Sequence, residues 1–278
     1  MPDGSTVRLR LESRPQTLTI VRGMLGGVAE LLSIDPELLD DLKTSVSEAC
    51  NNVVLHAYGG DAGPMEVGLF VGEEQFSVTV IDQGVGMPSP PPAGDVSQGI
   101  GLSVIRALTE DVRFSSAPGG GTEVEMDFAV RRDGRRLFTA PPAATPDGEL
   151  EPTSEGEVVV SLSPVTLLPG VLGRLARTLA ATAHFSLDRF SDVYLVTDTL
   201  AAHAASAAEG QRIEARLTAE DRRLELVVGP FRKGTGSRLD VQATDHPASP
   251  LVLLSDEVSV KDIEDSELLR VVVIDHRR

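Results

Sequence analysis

The stretch of sequence that decides the fold is LKTSVSEACNNVVLHAY, residues 42–58. Its apolar residues recur at helical spacing, and they are Leu42, Val46, Ala49 and Val53. A rotation of about 100° per residue puts Glu48, Asn52 and His56 in one stripe at the edge of this apolar face, whereas Asn51 points away from the core. The pattern predicts a helix that ends near Ala57 and presents Glu48 and Asn52 to one ligand.

The flanking sequence predicts the rest of a first domain. Strands are predicted from alternating apolar residues and helices from apolar residues at helical spacing. In order, we expect a strand at about 6–12, helices at 18–32 and 36–57, strands at 65–71 and 76–82, a helix at 99–109 and strands at 112–114 and 124–128. This order is typical of an α/β fold of the α+β two-layer sandwich type, with a mostly antiparallel sheet.

The second half of the chain repeats this order. A Pro- and Ala-rich segment, residues 133–155, is interpreted as a linker. After it, a strand, two helices and two more strands are predicted between residues 158 and 228. We therefore expect a tandem repeat, with one domain at 1–132 and a second at 156–278, and the alternative is two unrelated α/β domains.

Composition excludes several classes of function. The 278 residues include 42 acidic and 25 basic side chains, for a formal charge of −17. Such a chain repels nucleic-acid phosphates and anionic lipid, so neither direct nucleic-acid binding nor membrane binding is expected. No apolar run approaches the ~20 residues that span a bilayer. The single cysteine, Cys50, cannot form an internal disulfide, and a cytoplasmic protein is expected.

Two further segments accompany the Glu48 helix. Asp82 ends a buried strand, where a carboxylate is costly unless something donates hydrogen bonds to it, as an adenine amino group would. Gly84 and Gly86 follow and permit the close approach of a flat ring. A helix is predicted to begin with Gly99-Ile100-Gly101-Leu102, whose amides would suit phosphate oxygens.

Together these segments resemble the anti-sigma factor serine/threonine kinases. This family belongs to the Bergerat-type ATPases, which have a histidine-kinase-like ATPase fold and include histidine kinases, gyrases, heat-shock chaperones and mismatch-repair ATPases. The resemblance covers residues 7 to about 130. Its strongest segments are Ser47–Val54 with His56-Ala57-Tyr58, then Asp82–Gly86, Gly99–Leu102 and Gly121-Thr122.

The resemblance implies a role for each matching residue. Asn52 would bind the Mg²⁺ that bridges the ATP phosphates, and Asp82 would accept a hydrogen bond from adenine, supported by Thr122. Glu48 would be the general base that takes the proton of a partner serine. Residues 87–98 would form a lid over the nucleotide, and their four prolines make it stiffer than is typical of the family.

The second domain departs from this pattern. Sliding the sequence by 150 residues puts Asp198 at the position of Glu48 and Ala202 at that of Asn52. No Gly-x-Gly-Leu motif follows at the phosphate position, although a segment at residues 232–236 is basic and glycine-rich. A degenerate copy that has lost ATP binding is expected, either as an intramolecular stand-in for the second subunit of a dimer or as a partner-binding surface.

Three functions remain open at this point. The first is a kinase that phosphorylates an anti-sigma antagonist and thereby regulates a sigma factor by partner switching. The second is a nucleotide-dependent switch with little or no phosphoryl transfer, and the third is ATP hydrolysis. The expected partners are the sigma factor and the antagonist, and a homodimer is a further possibility.

Overall fold

The computed structural model describes residues 5–72, 75–86, 96–117, 119–132, 135–137, 150, 153–238 and 249–276. The chain divides into two compact units, Met1–Glu155 and Gly156–Arg278. Among the helices described, none is both long and apolar enough to cross a membrane.

The first unit is a five-stranded antiparallel sheet with three helices. Its strands lie in the order β1-β2-β3-β5-β4, and a short strand, β6, extends the sheet from β5. The elements are β1 (Ser5–Glu12), α1 (Thr17–Leu32), α2 (Pro36–Asn52), β2 (Pro64–Val71), β3 (Gln75–Asp82), α3 (Val96–Leu108), β4 (Asp111–Ser116), β5 (Thr122–Arg132) and β6 (Arg135–Leu137).

Alternating burial along the strands shows where the core of this unit lies. Met65, Val67 and Leu69 of β2 are buried, and the residues between them are not. The same alternation puts one row of apolar side chains on one face of the sheet, where α2 contacts β3 and β5 and packs between α1 and α3. The two-layer α/β arrangement predicted from the sequence is therefore present.

Local chemistry fixes the start and the end of α2. Asp35 caps the helix by accepting hydrogen bonds from the amides of Glu37 and Leu38, at 3.0 and 3.4 Å, and Pro36 occupies the first turn. At the other end the α-helix stops at Asn52, and Val53–Ala57 form a π-helical turn. The predicted single helix to Ala57 is thus two helical types in succession, and His56, predicted in one stripe with Glu48 and Asn52, lies in the π-helical turn rather than in α2.

The second unit has the same strand order, β7-β8-β9-β11-β10, and a similar order of elements, with two short helices in place of α3. Its sheet is antiparallel throughout. The elements are β7 (Glu157–Ser163), α4 (Leu168–Thr182), α5 (Leu187–Ala207), β8 (Ile213–Glu220), β9 (Arg223–Arg232), α6 (Thr235–Arg238), α7 (Pro250–Leu254), β10 (Glu257–Ile263) and β11 (Ser266–Ile274).

Burial gives the correspondence between α2 and α5. The buried residues of α2 and of the turn after it match those of α5 at an offset of 151, and the pairs are Leu42 and Val193, Val46 and Thr197, Ala49 and Leu200, Cys50 and Ala201, and Val53 and Ala204. Thr199 and His203 therefore correspond to Glu48 and Asn52. The 150-residue slide of the sequence was one residue short, because it brought the exposed Asp198 and Ala202 to these positions.

Strand pairing gives the correspondence in the sheets. In the first unit Val67 pairs with Val80, and in the second Ala215 pairs with Val228. All four are buried, and matching these two pairs puts Pro230 at the position of Asp82, two residues further along the strand.

Several elements differ from the sequence-based expectation. The helix α3 begins at Val96 rather than Gly99, and β6 lies inside the predicted linker. The strands β10 and β11 were not predicted, although the buried run Val271–Val273 is typical of a central strand. Most of the predicted lid, residues 87–95, lies outside the described residues.

Candidate functional site

Glu48 and Asn52 lie one turn apart on α2 and face the same residue of α3. A Cβ atom at Gly101 would lie 2.9 Å from Oε2 of Glu48 and 3.7 to 3.8 Å from the amide atoms of Asn52. Both side chains are half-buried, and Gly101 is buried. The absence of a side chain at Gly101 therefore lets the backbone of α3 approach a carboxylate and an amide together.

The four predicted phosphate-site residues, Gly99 to Leu102, all lie in the first half of α3. Because the helix begins at Val96, its unpaired amides belong to the residues before Gly99, and those of Gly101 and Leu102 are already inside the helix. The structure thus puts Gly101 next to Glu48 and Asn52. The N-terminal end of α3, with its unpaired amides, lies three residues earlier than predicted.

Asp82 is a buried carboxylate held by backbone amides. It is 3 % exposed at the end of β3. Its Oδ1 accepts from the amide of Gly84 at 2.8 Å and from that of Thr122 at 3.3 Å, and the Thr122 hydroxyl also donates to the carboxyl group.

Among the described residues, no cation neutralises the charge of Asp82. No Lys, Arg or His among the described residues forms an ion pair with it, and burial raises the pKa of its carboxyl group despite the three donors. A buried acceptor of this kind fits a ligand that brings its own hydrogen-bond donor, such as an exocyclic amino group.

Glycines bring three backbone segments close to Asp82. A Cβ atom at Gly84 would lie 2.1 Å from the carbonyl oxygen of Ala57, and one at Gly121 would lie 2.2 Å from the carbonyl oxygen of Asp82. Gly86 and Gly121 have positive φ angles of 77° and 83°. The loop after β3 therefore packs closely against the π-helical turn on one side and the turn before β5 on the other. The turn before β5 also positions Thr122 beside Asp82.

Sequence reasoning did not assign a role to Tyr58. Its hydroxyl donates to the carbonyl oxygen of Pro64 at 2.6 Å and accepts from the amide of Gln83 at 2.8 Å. Only its position, directly before the Gly59-Gly60 helix end, could have drawn attention to it. A backbone partner 25 residues away leaves no pattern in the sequence.

A metal ion at this site would have few protein ligands. No group of three or more His, Cys, Asp or Glu suited to a metal occurs in the part of the chain that the structure describes. Asn52 offers one amide oxygen, a donor set that fits Mg²⁺ held mainly by phosphates and water.

Comparison with known proteins agrees with this geometry. Residues 11–128 match the model of the histidine kinase-like ATPase domain. A serine-protein kinase RsbW of Bacillus licheniformis is 31% identical over 141 residues, which are 46% of this chain and 87% of the relative. The chain belongs to the anti-sigma factor serine kinase family.

Two further relatives support this membership. An anti-sigma F factor of Caldanaerobacter subterraneus subsp. tengcongensis is 27% identical over 142 residues, covering 48% of this chain and 99% of the relative. A serine-protein kinase RsbW of Oceanobacillus iheyensis is 28% identical over 127 residues, with coverages of 41% and 80%. The matched family segment contains Glu48, Asn52, Asp82 and Thr122, and membership of this ATPase family implies ATP binding.

Proposed function

We propose that the first unit is an ATP-dependent serine/threonine protein kinase of the partner-switching type. Its substrate would be an anti-sigma antagonist, and its second partner a sigma factor. The observation that carries this proposal is the convergence of Glu48 and Asn52 on Gly101. It puts the Glu48 carboxylate beside the Asn52 side-chain amide, which would face the phosphates.

Asp82 would recognise the base. With Oδ1 engaged by the amides of Gly84 and Thr122, the carboxylate would accept a hydrogen bond from the 6-amino group of adenine. The half-buried Gly84 and Gly86 present backbone rather than side chains to the ring. Asp82 would thus orient ATP so that its phosphates extend toward α3.

Glu48 would act as the general base. It accepts the proton of the partner serine hydroxyl as that oxygen attacks the γ-phosphorus, while the bond from the γ-phosphorus to the β,γ-bridging oxygen breaks and ADP leaves. Bound through Asn52 and the phosphates, Mg²⁺ would supply neutralisation of the phosphate charge.

The second unit would be a degenerate copy that binds no nucleotide. Supporting this, Thr199, His203 and Pro230 occupy the positions of Glu48, Asn52 and Asp82, and none of them offers a carboxylate. The basic, glycine-rich segment is also already engaged, because Glu267 of β11 accepts hydrogen bonds from the amides of Gly234 and Gly236 at 2.6 and 2.9 Å.

We infer that the second unit stands in for a second subunit or offers a partner-binding surface. An ATP titration of the full-length protein tests the loss of binding. One site per chain is expected, and none after Asp82→Asn. A second site per chain would contradict the proposed degeneracy, whereas a single site that persists in the Asp82→Asn protein would contradict the role of Asp82.

Phosphoryl transfer is tested with the co-purified partner and ATP labelled at the γ-phosphate. Label on a serine of the partner is expected, and Glu48→Gln should lower its rate by about 10²-fold or more while ATP still binds. Asp198→Asn in the second unit is the matched control and should leave the rate unchanged.

The same experiment separates the other candidate functions. ATP binding without label on any protein would favour a nucleotide-dependent switch. Release of inorganic phosphate that depends on Glu48 but not on the partner would favour ATP hydrolysis.

A further inference from the structure

Tyr58 links the end of the π-helical turn to the loop that carries Asp82. Its hydroxyl accepts a hydrogen bond from the amide of Gln83, the residue directly after Asp82, and donates one to the carbonyl oxygen of Pro64. The burial of Tyr58 raises the pKa of its phenol, so the hydroxyl stays protonated at neutral pH and can serve in both roles. This one side chain therefore connects α2 and the π-helical turn with β2 and with the first residue of the loop after β3.

The ring of Tyr58 is fixed by the backbone of Gly63. A Cβ atom at Gly63 would lie 2.3 to 2.5 Å from three ring carbons, so only glycine leaves room for the ring. Gly63 is held in turn by Ser13 at the end of β1: its amide donates to Ser13 Oγ at 3.0 Å, and its carbonyl oxygen accepts from the amide of Ser13 at 2.8 Å. The position of the hydroxyl is thus set by the sheet.

A second contact from the same turn reaches the next part of the loop. The amide of Val85 donates to the carbonyl oxygen of Ala57 at 2.9 Å. Ala57 and Tyr58 therefore hold two alternate amides of the loop, those of Val85 and Gln83, while Asp82 itself holds the amide of Gly84 between them. Without the Tyr58 hydroxyl, the Gln83 amide would lose its partner directly beside the carboxylate.

We propose that Tyr58 is a positioning residue that sets the base specificity of the nucleotide site. This rests on the proposed function, in which Asp82 accepts from the 6-amino group of adenine. Tyr58 touches no nucleotide. It fixes the backbone from which the Asp82 carboxylate projects, and a hydrogen bond weakens steeply when its geometry shifts.

Base discrimination tests the proposal in the full-length protein. ITP has a carbonyl oxygen where ATP has the 6-amino group, and the two nucleotides share ribose and phosphates. The Kd of each is measured with Mg²⁺ by calorimetry, and the ratio of the ITP to the ATP value reports the base contact alone. Partial unfolding weakens both nucleotides equally and leaves this ratio unchanged.

Tyr58→Phe keeps the ring and removes the hydroxyl. We expect the ratio to fall by about tenfold relative to the unsubstituted protein. Tyr194→Phe is the matched control: Tyr194 is the other tyrosine of the chain, is 46% exposed on α5 and should leave the ratio unchanged. A ratio within threefold of the original in folded Tyr58→Phe overturns the proposal.

A second variant covers a Tyr58→Phe protein that binds neither nucleotide. Gly63→Ala displaces the Tyr58 ring without removing a polar group, so the same fall in the ratio is expected and an unchanged ratio overturns the proposal. A different result would count against the proposed function instead: if Asp82→Asn leaves the preference for ATP intact, Asp82 is not the adenine acceptor.

Discussion

At the scale of single residues, Asp82 is held in a state that costs stability. Its carboxylate is buried, raised in pKa and surrounded by amides rather than cations. Such a group persists in a protein when a ligand uses it, since an unpaired buried charge is otherwise unfavourable. Binding and stability are therefore expected to oppose each other at this position.

Asp82→Asn should raise the melting temperature of the ligand-free protein at neutral pH and abolish ATP binding. The folded-state pKa of Asp82 lies above its unfolded value, so its ionisation destabilises the fold as the pH rises through that raised pKa. The stability gain of the variant should hence grow from about pH 4 upward and level off. Thermal unfolding against pH measures this, and a gain that shrinks with rising pH would contradict it.

The two neighbouring asparagines of α2 are predicted to differ. Asn52→Ala should weaken MgATP binding by more than about tenfold, because Asn52 faces Gly101 together with Glu48. Asn51→Ala is the matched control and should change the Kd by less than about twofold. Equal losses in the two variants, measured by calorimetry, would show that the assignment of the helix face is wrong.

At the scale of elements, the π-helical turn and the loop after β3 pack directly against each other. The carbonyl oxygen of Ala57 fills the space where Gly84 would carry a Cβ atom, at 2.1 Å. The sequence predicted that Gly84 leaves room for a flat ring but did not predict this contact, because a glycine beside a ligand and a glycine under a carbonyl oxygen look alike in a sequence.

Gly84→Ala should displace the loop and lower ATP affinity by at least about tenfold while the second unit stays folded. Gly173→Ala is the control, since a Cβ there would meet only Thr197 Oγ1 at an ordinary 3.5 Å. That variant should bind ATP normally and gain about 0.5–1 kcal/mol of stability, because alanine is favoured inside a helix. Normal ATP binding by Gly84→Ala would refute the close contact.

At the scale of the whole molecule, two units of equal strand order differ in what fills the matching loops. In the first unit the amide of Gly84 donates a hydrogen bond to the carboxylate of Asp82. In the second, Glu267 reaches the amides of Gly234 and Gly236, and these hydrogen bonds lower the pKa of its carboxyl group. An internal carboxylate therefore already accepts from both of these amides.

Glu267→Gln should destabilise the second unit by about 1–2 kcal/mol at neutral pH. Because the folded-state pKa of Glu267 is lowered, its contribution is complete above the unfolded value near 4.3 and is lost as the pH falls through the folded one. Urea unfolding should therefore show a smaller difference between variant and original protein at pH 3 than at pH 7. An equal difference at both values would exclude the charge as its cause.

The sequence by itself determined the order of helices and strands as far as β9 except for the short β6, the face of α2 that carries Glu48 and Asn52, and the family. These follow from periodicity and from short motifs, which record local burial. The strands β10 and β11 were not predicted, since buried and exposed residues hardly alternate along the exposed β10.

Only the tertiary structure decided the finer geometry. It gave the π-helical turn, the earlier start of α3, the one-residue correction that brings Thr199 and His203 to the Glu48 and Asn52 positions, and the hydrogen bonds of Tyr58 and Glu267. The physical reason is the distance along the sequence between the interacting residues. A hydrogen bond between residues 25 or 33 positions apart depends on how strands and helices pack, and the sequence around either partner carries no period that reports it.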